Sequence, residues 1–271
     1  ISDRATVYNT GETATILTEP GRGDALRQYL HRHIFFNDDV RIADLAIGTR
    51  QFALHGQSAN AVIEALTPEL AALPPMYSRR ITIAGADVFV ARSKPLVGEA
   101  WVFIVPNDSA ESVWTAILET GKSFGLLPAG SLTYNTLRIR AGRPGVGREL
   151  SADYIPLEVG LWDEVSFNKG CYTGQEIIAR MESRGRLAKT IVSLQLDGLT
   201  EAPAPLLLDG REVGKLTSSV QSPDGEVFGI GVVKVAVAQV GLVFTAGNNH
   251  ATITRLAGVQ PPQLIPEETA E

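Results

Sequence analysis

The chain has 271 residues, 44% of them hydrophobic and 20% charged, with a formal net charge of −6. That composition excludes a disordered, collagen-like or membrane protein and makes the surface as a whole a poor binder of nucleic acid. No apolar run approaches the roughly 20 residues of a spanning helix, and a single cysteine, Cys171, leaves no internal disulfide and points to a reducing compartment, the cytoplasm.

The opening ISDRATVYNT lacks the basic start and apolar core of a signal peptide and does not begin with methionine. Residues 6–17, TVYNTGETATIL, alternate around a turn-rich centre and predict a hairpin. In DALRQYLHRHIF, Leu26, Tyr29, Leu30 and His33 fall at helical spacing, and His33 reads as a packing residue. Strands are expected in VRIADLAI (40–47) and RQFALHG (50–56), then a helix in SANAVIEAL closed by Pro68. Two further strand-like runs, RITIAGADVFVAR and AWVFIVP, lead to a helix over 108–121, capped by Asp108 or Ser109 and stopped by Gly121. Strands mixed with amphipathic helices in this way predict an α+β domain.

From about residue 190 helical periodicity gives way to short β-rich runs, and Asp209-Gly210 is a two-residue hairpin signal. This predicts a small antiparallel barrel or sandwich, with the boundary near 187–191. The expected organisation is therefore 1–189, then 190–258, then a proline-rich acidic tail over 259–271, expected to be disordered.

The chemistry gathers between Arg138 and Lys189, where nine Lys/Arg stand against seven Asp/Glu in an otherwise acidic chain. Either solvated faces or a basic pocket for an anion would produce that balance. Within this window NKGCYTGQEIIAR (168–180) carries the lone thiol. Thr173 and Glu176 have the spacing of a capping box, so a helix is expected from about Gly174. Ile177, Ile178 and Met181 would face inward, Gly185 would stop the helix, and Glu176, Arg180 and Arg184 would share a face. Cys171 then lies just ahead of the positive end of a helix dipole, with Lys169 projecting to the same side of an extended segment. Both features favour a thiolate. The alternative is a small buried hydrophobe, the commoner state of a free cysteine, and Lys169 would then be merely solvated. His31, His33, His55 and His250 lack ligand spacing, so no metal site is expected.

KGCYTGQE at 169–176, continuing as IIAR, resembles the signature of the YgfZ family, folate-binding proteins similar in fold to the aminomethyltransferase (T-protein) of the glycine cleavage system. NTLRIRAGRPGVGREL (135–150) resembles that family's helix and glycine-rich loop, and YIPLEVGLWDEVSFNKG its approach to the motif. EVGKLTSSVQSP followed by GIGVVK resembles its C-terminal barrel. The resemblance implies a tetrahydrofolate-dependent role in maintaining iron–sulfur enzymes, including those that modify tRNA, with iron–sulfur proteins or their assembly factors as partners and Cys171 as a reactive thiol. It also implies that the chain begins partway into the N-terminal domain. The missing part would include a segment lining the folate cavity and the T-protein's catalytic aspartate. Glu158 matches a carboxylate that pairs with the pterin ring, with Gln175 among the folate-binding positions. Arg180 matches a basic position suited to the folate's glutamate tail. The plainer alternatives are a surface carboxylate for Glu158 and an ion pair with Glu176 for Arg180. A one-carbon transferase and a non-catalytic interaction module are the other functions left open, and the acidic balance opposes direct nucleic-acid contact.

Overall fold

The computed structural model describes residues 1, 3–184 and 187–257. It falls into two compact units, Asp3–Gly130 and a second that begins at Ser131 and takes in Ile1. The tail expected over 259–271 lies outside the described residues.

In the first unit, β1 (Ala5–Asn9) and β2 (Ala14–Thr18) form the expected hairpin, with Val7 opposite Ile16. The helix α1 is shorter than its periodicity predicts, Gly23–His31, and buries none of its residues. His33 lies beyond it, its Nδ1 2.8 Å from the Tyr29 carbonyl. The strand expected over 40–47 does not form. Asp44 accepts a hydrogen bond from the Ala46 amide at 2.9 Å, and the Thr49 hydroxyl donates to the Leu45 carbonyl at 2.7 Å. Such local bonds divert a backbone from ladder pairing.

The unit's sheet runs β3 (Thr49–Gly56), β6 (Glu99–Pro106), β5 (Ala86–Arg92), β4 (Ser78–Ile83), all antiparallel. The single run read over 80–92 is broken into β4 and β5 by a tight turn, with φ of 49° at Ala84 and 81° at Gly85. Both positive angles match the right-handed twist of a two-residue hairpin. One face of the sheet packs its apolar residues, Leu54, Val88, Val90, Trp101 and Phe103 among them, with α2 (Ala59–Leu66) and α3 (Ala110–Gly121). No side-chain cap from Ser109 closes the start of α3, which a 3-10 turn over Asn107–Ser109 leads into. On the other face Tyr8 of the hairpin meets Phe89 edge-on, ring centroids 5.7 Å apart.

The second unit opens with α4 (Ser131–Arg140) and continues through a glycine-rich loop to α5 (Gln175–Arg184). Six strands then close a barrel in the order β10-β7-β12-β11-β8-β9. They are β7 (Lys189–Leu196), β8 (Ala204–Leu208), β9 (Arg211–Gln221), β10 (Val227–Lys234), β11 (Val243–Ala246) and β12 (Asn249–Leu256). The fold is thus α+β with a C-terminal antiparallel barrel. Asp209 (φ 51°) and Gly210 (φ 74°) make the turn between β8 and β9, as that dipeptide predicts.

The change of texture near 187–191 marks where helical periodicity stops, whereas the compact units part at Gly130/Ser131. The reason is apolar burial. Ile139 of α4 and Leu150, Tyr154 and Val159 of the following loop cluster with Ile191, Ile230 and Val232 on the outside of the barrel, while Val192, Leu194 and Phe244 fill its interior.

Asp197, after β7, accepts the His250 amide at 2.7 Å and lies 2.9 Å from His250 Nδ1. Those bonds hold its carboxyl below the ordinary carboxylate value. A depressed folded-state pKa gives stability that is present above the unfolded value and lost as pH falls through the folded one. Asp197→Asn is therefore expected to lower the Tm at neutral pH and to flatten the acid limb of a Tm-versus-pH curve below about pH 4, so that the two curves converge in acid. An unaltered acid limb would show that the contact is too solvated to matter.

Candidate functional site

The region ahead of the barrel contains three linked pieces. The first is a buried charge network. Glu149 is 0% exposed. Its Oε2 accepts from the Gly145 amide at 2.9 Å and lies 3.3 Å from Arg138, while its Oε1 lies 2.8 Å from the Ser218 hydroxyl and 2.5 Å from that of Thr217. Arg138 also donates to the Arg143 carbonyl at 2.9 Å and to Asn135 Oδ1. Burial lowers its pKa from the ordinary guanidinium value, opposed by Glu149. The network joins α4, the glycine loop and β9, and so fixes the segment leading into the next piece.

That piece is the 3-10 turn Pro156–Val159. Pro156 presets the first position, and Gly160 ends the turn in the left-handed region at φ 77°. Glu158 sits three residues after Ile155 and reaches back to it, Oε2 accepting the Ile155 amide at 3.2 Å. The residue is only 9% exposed, and Oε1 has no hydrogen-bond partner among the described residues. Nearby Tyr154 is pushed above the ordinary phenol value by burial first, with Asp153, Glu149 and Glu158 adding in the same direction.

The third piece is the thiol loop. Cys171 is exposed, which removes the buried-hydrophobe alternative. No hydrogen bond reaches its sulfur among the described residues. The Lys169 ammonium lies over the Tyr172 ring, 4.6 Å from its centroid, a cation–π contact. The helix follows a turn in which Gly174 takes φ 91°, a conformation that favours glycine. The cap reaches back one residue earlier than the spacing of Thr173 and Glu176 predicts. Gln175 Oε1 accepts the Tyr172 amide at 3.4 Å, and Glu176 instead pairs with Arg180 one turn on. That pair is largely solvent-exposed, a geometry of small energetic weight.

Of the three apolar positions expected inward, Ile178 is buried and Met181 half-buried, but Ile177 is 52% exposed. Because α5 rests on one narrow cluster, only one stripe can be covered. Ile178 and Leu187 pack on Leu157, with Ile155, Trp162, Tyr172 and Met181 around them. The Glu158 turn and the thiol loop therefore share one apolar anchor. The stop expected at Gly185 lies outside the described residues. Glu149 was missed in the sequence, although Arg138, the GRPGVG loop and the hydroxyl run Thr217-Ser218-Ser219 together hold the donors a buried carboxylate needs.

Among the described residues no three His, Cys, Asp or Glu side chains gather as metal ligands, and no helix is long and apolar enough to cross a membrane.

Residues 1–169 match the family model described as the GCVT N-terminal domain. A chloroplastic protein of Arabidopsis thaliana, provisionally described as a transferase, is 33% identical over 258 residues, covering 93% of this chain and 59% of its own length. An aminomethyltransferase of Caldanaerobacter subterraneus subsp. tengcongensis is 30% identical over 207 residues, 74% of this chain and 55% of that protein. The chain thus spans between half and three-fifths of the length of these curated relatives. The crystal structure of glycine cleavage system aminomethyltransferase T from Bartonella henselae superposes with a TM-score of 0.79 at 20% identity, over 96% of this chain and 73% of that one. At that identity the likeness speaks for the fold.

Proposed function

The chain belongs to the GCVT N-terminal domain family, and from that premise we propose that it is a tetrahydrofolate-binding accessory protein of the YgfZ type. In this reading it serves the assembly or repair of iron–sulfur proteins, those that modify tRNA included, in a reducing compartment such as the cytoplasm. Cys171 is its reactive thiol and Lys169 the neighbouring cation. The observation that carries the reading is the exposed Cys171 on a loop whose Tyr172 and Ile178 share an apolar anchor with the Glu158 turn. A partner protein can reach such a thiol, while a cofactor beside Glu158 stays within the same small region.

The acceptor carboxylate of Glu158 suits the N–H edge of a pterin. Glu158 offers a mostly buried carboxylate with one oxygen already held by the Ile155 amide and the other open to an N–H donor, and a charge-assisted bond of that kind is stronger than a neutral one. Gln175 and Arg180 would serve the rest of the folate, Arg180 by turning from Glu176 toward a carboxylate of the tail. The cofactor itself would supply a one-carbon carrier.

In cells lacking the protein, Cys171→Ala is expected to lose at least tenfold of the rescued activity of a cluster-dependent enzyme. Undiminished rescue defeats the thiol assignment. Glu158→Gln should weaken tetrahydrofolate binding by about tenfold, the loss of one bond to a charged acceptor. Equal affinities would take Glu158 out of the site. A second reading, a folate-dependent one-carbon transferase, is favoured by the relatives described as aminomethyltransferases. Turnover of labelled methylene-tetrahydrofolate without an iron–sulfur partner would decide for it.

A further inference from the structure

Away from the thiol loop, the outer face of the barrel carries a cluster of lysines that the proposed function does not use. Lys189 of β7 and Lys234 of β10 are direct cross-strand partners. On the other side of β10, Lys215 of β9 pairs with Val232, two residues before Lys234. Val232 and Ile191 belong to the apolar cluster outside the barrel, and side chains two residues apart on a strand share a face. All three lysines therefore project outward, one from each of three adjacent strands. Together with Asp153, Tyr154 and Glu212 they line a cleft of about 550 Å³.

Like charges placed directly opposite in a ladder are destabilising, and natural sheets usually answer them with a carboxylate. Here none does. Arg4, Arg80, Arg92 and Lys122 each hold an acidic partner, yet Lys189, Lys215 and Lys234 form no ion pair among the described residues, although Asp153 and Glu212 line the same cleft. Lys189 Nζ lies over the Tyr154 ring, 5.3 Å from its centroid, and Lys234 Nζ is 3.4 Å from the Glu212 carbonyl. Three lysines against two carboxylates leave one positive charge in excess in a chain of net charge −6.

Neighbouring strands lie about 4.8 Å apart, so the three lysines span roughly 10 Å. Two linked anionic groups bring more charge and more acceptor oxygens to the three ammonium groups than one small anion does. We propose that this cleft binds a small molecule carrying two linked phosphate groups, either free diphosphate or a diphosphate ester, on Lys189, Lys215 and Lys234. The site is independent of the folate reading and survives its failure.

Calorimetric titration of the whole chain at low salt tests it with pyrophosphate, ADP and orthophosphate. Pyrophosphate is expected to bind saturably, at least tenfold more tightly than orthophosphate, and at least tenfold more weakly to the double variant Lys189→Gln/Lys234→Gln. Lys122→Gln should bind as the parent does. Preference for ADP over pyrophosphate assigns an ester, and the reverse assigns the free ion. No saturable binding by the parent chain, or equal affinity in the double variant, overturns the proposal. A ligand-free readout runs beside it. Relief of the opposed charges should raise the Tm of Lys234→Gln by about 1–2 °C, and an unchanged or lowered Tm removes the unbalanced charge on which the site depends.

Discussion

Replacing Glu149 by alanine is expected to destabilise the C-terminal unit by about 3–5 kcal/mol, the usual cost of breaking a buried ion pair from one side. The carboxylate is wholly enclosed, and its removal strips acceptors from Arg138, the Gly145 amide and the hydroxyls of Thr217 and Ser218 at once. Arg138 is nearly as enclosed, with a side chain 12% exposed, so its charge would stay in a poorly solvating place. Replacing both partners by apolar residues, Arg138→Met with Glu149→Leu, should recover much of the loss, because a buried pair often does little better than a well-packed hydrophobic substitute. Urea unfolding of the single and double variants gives the coupling directly. A loss under about 1 kcal/mol for Glu149→Ala would mean that water replaces the carboxylate and that the network is not a lock. The loop it fixes leads straight into Tyr154 and Glu158, so a loosened network should also lower ligand affinity at that turn.

Trp101→Ala should cost the N-terminal unit about 3–5 kcal/mol, the range for emptying a large aromatic site in a core. Trp101 is 1% exposed in the middle of β6, among Val88, Val90 and Phe103. Its indole N–H donates to Asn60 Oδ1 at 2.9 Å, tying the sheet to α2. Trp101→Phe keeps most of the apolar contact and forfeits that bond, so about 1 kcal/mol is expected. Hydrogen exchange localises the effect, with the Ala variant losing protection in β3, β5 and β6. Protection unchanged in those strands would show that the site collapses around the missing ring.

Much of the candidate site was legible because its signals are local. The start of α5 within a residue of Gly174 and the i, i+4 spacing of Glu176 and Arg180 depend on residues within one helical turn of each other, whereas the exposure of Cys171, left open by its neighbours, is decided by packing. The one-residue shift of the cap to Gln175 was not legible, since two side chains with nearly equal reach compete there and packing of Tyr172 and Ile178 on Leu157 decides between them.

The same division runs through the fold. Sequence alone determined the hairpins at 6–17 and 209–210, the helices α2 and α3 and the β-rich character beyond residue 190, because turn chemistry and apolar periodicity act over a few residues. Tertiary structure alone decided that six strands close into a barrel, that Glu149 is buried between the glycine-rich loop and β9, and that Lys189, Lys215 and Lys234 meet on one face. Those outcomes rest on partners tens of residues apart, whose pairing is set by which apolar surfaces can be covered together, a condition no short window of sequence contains.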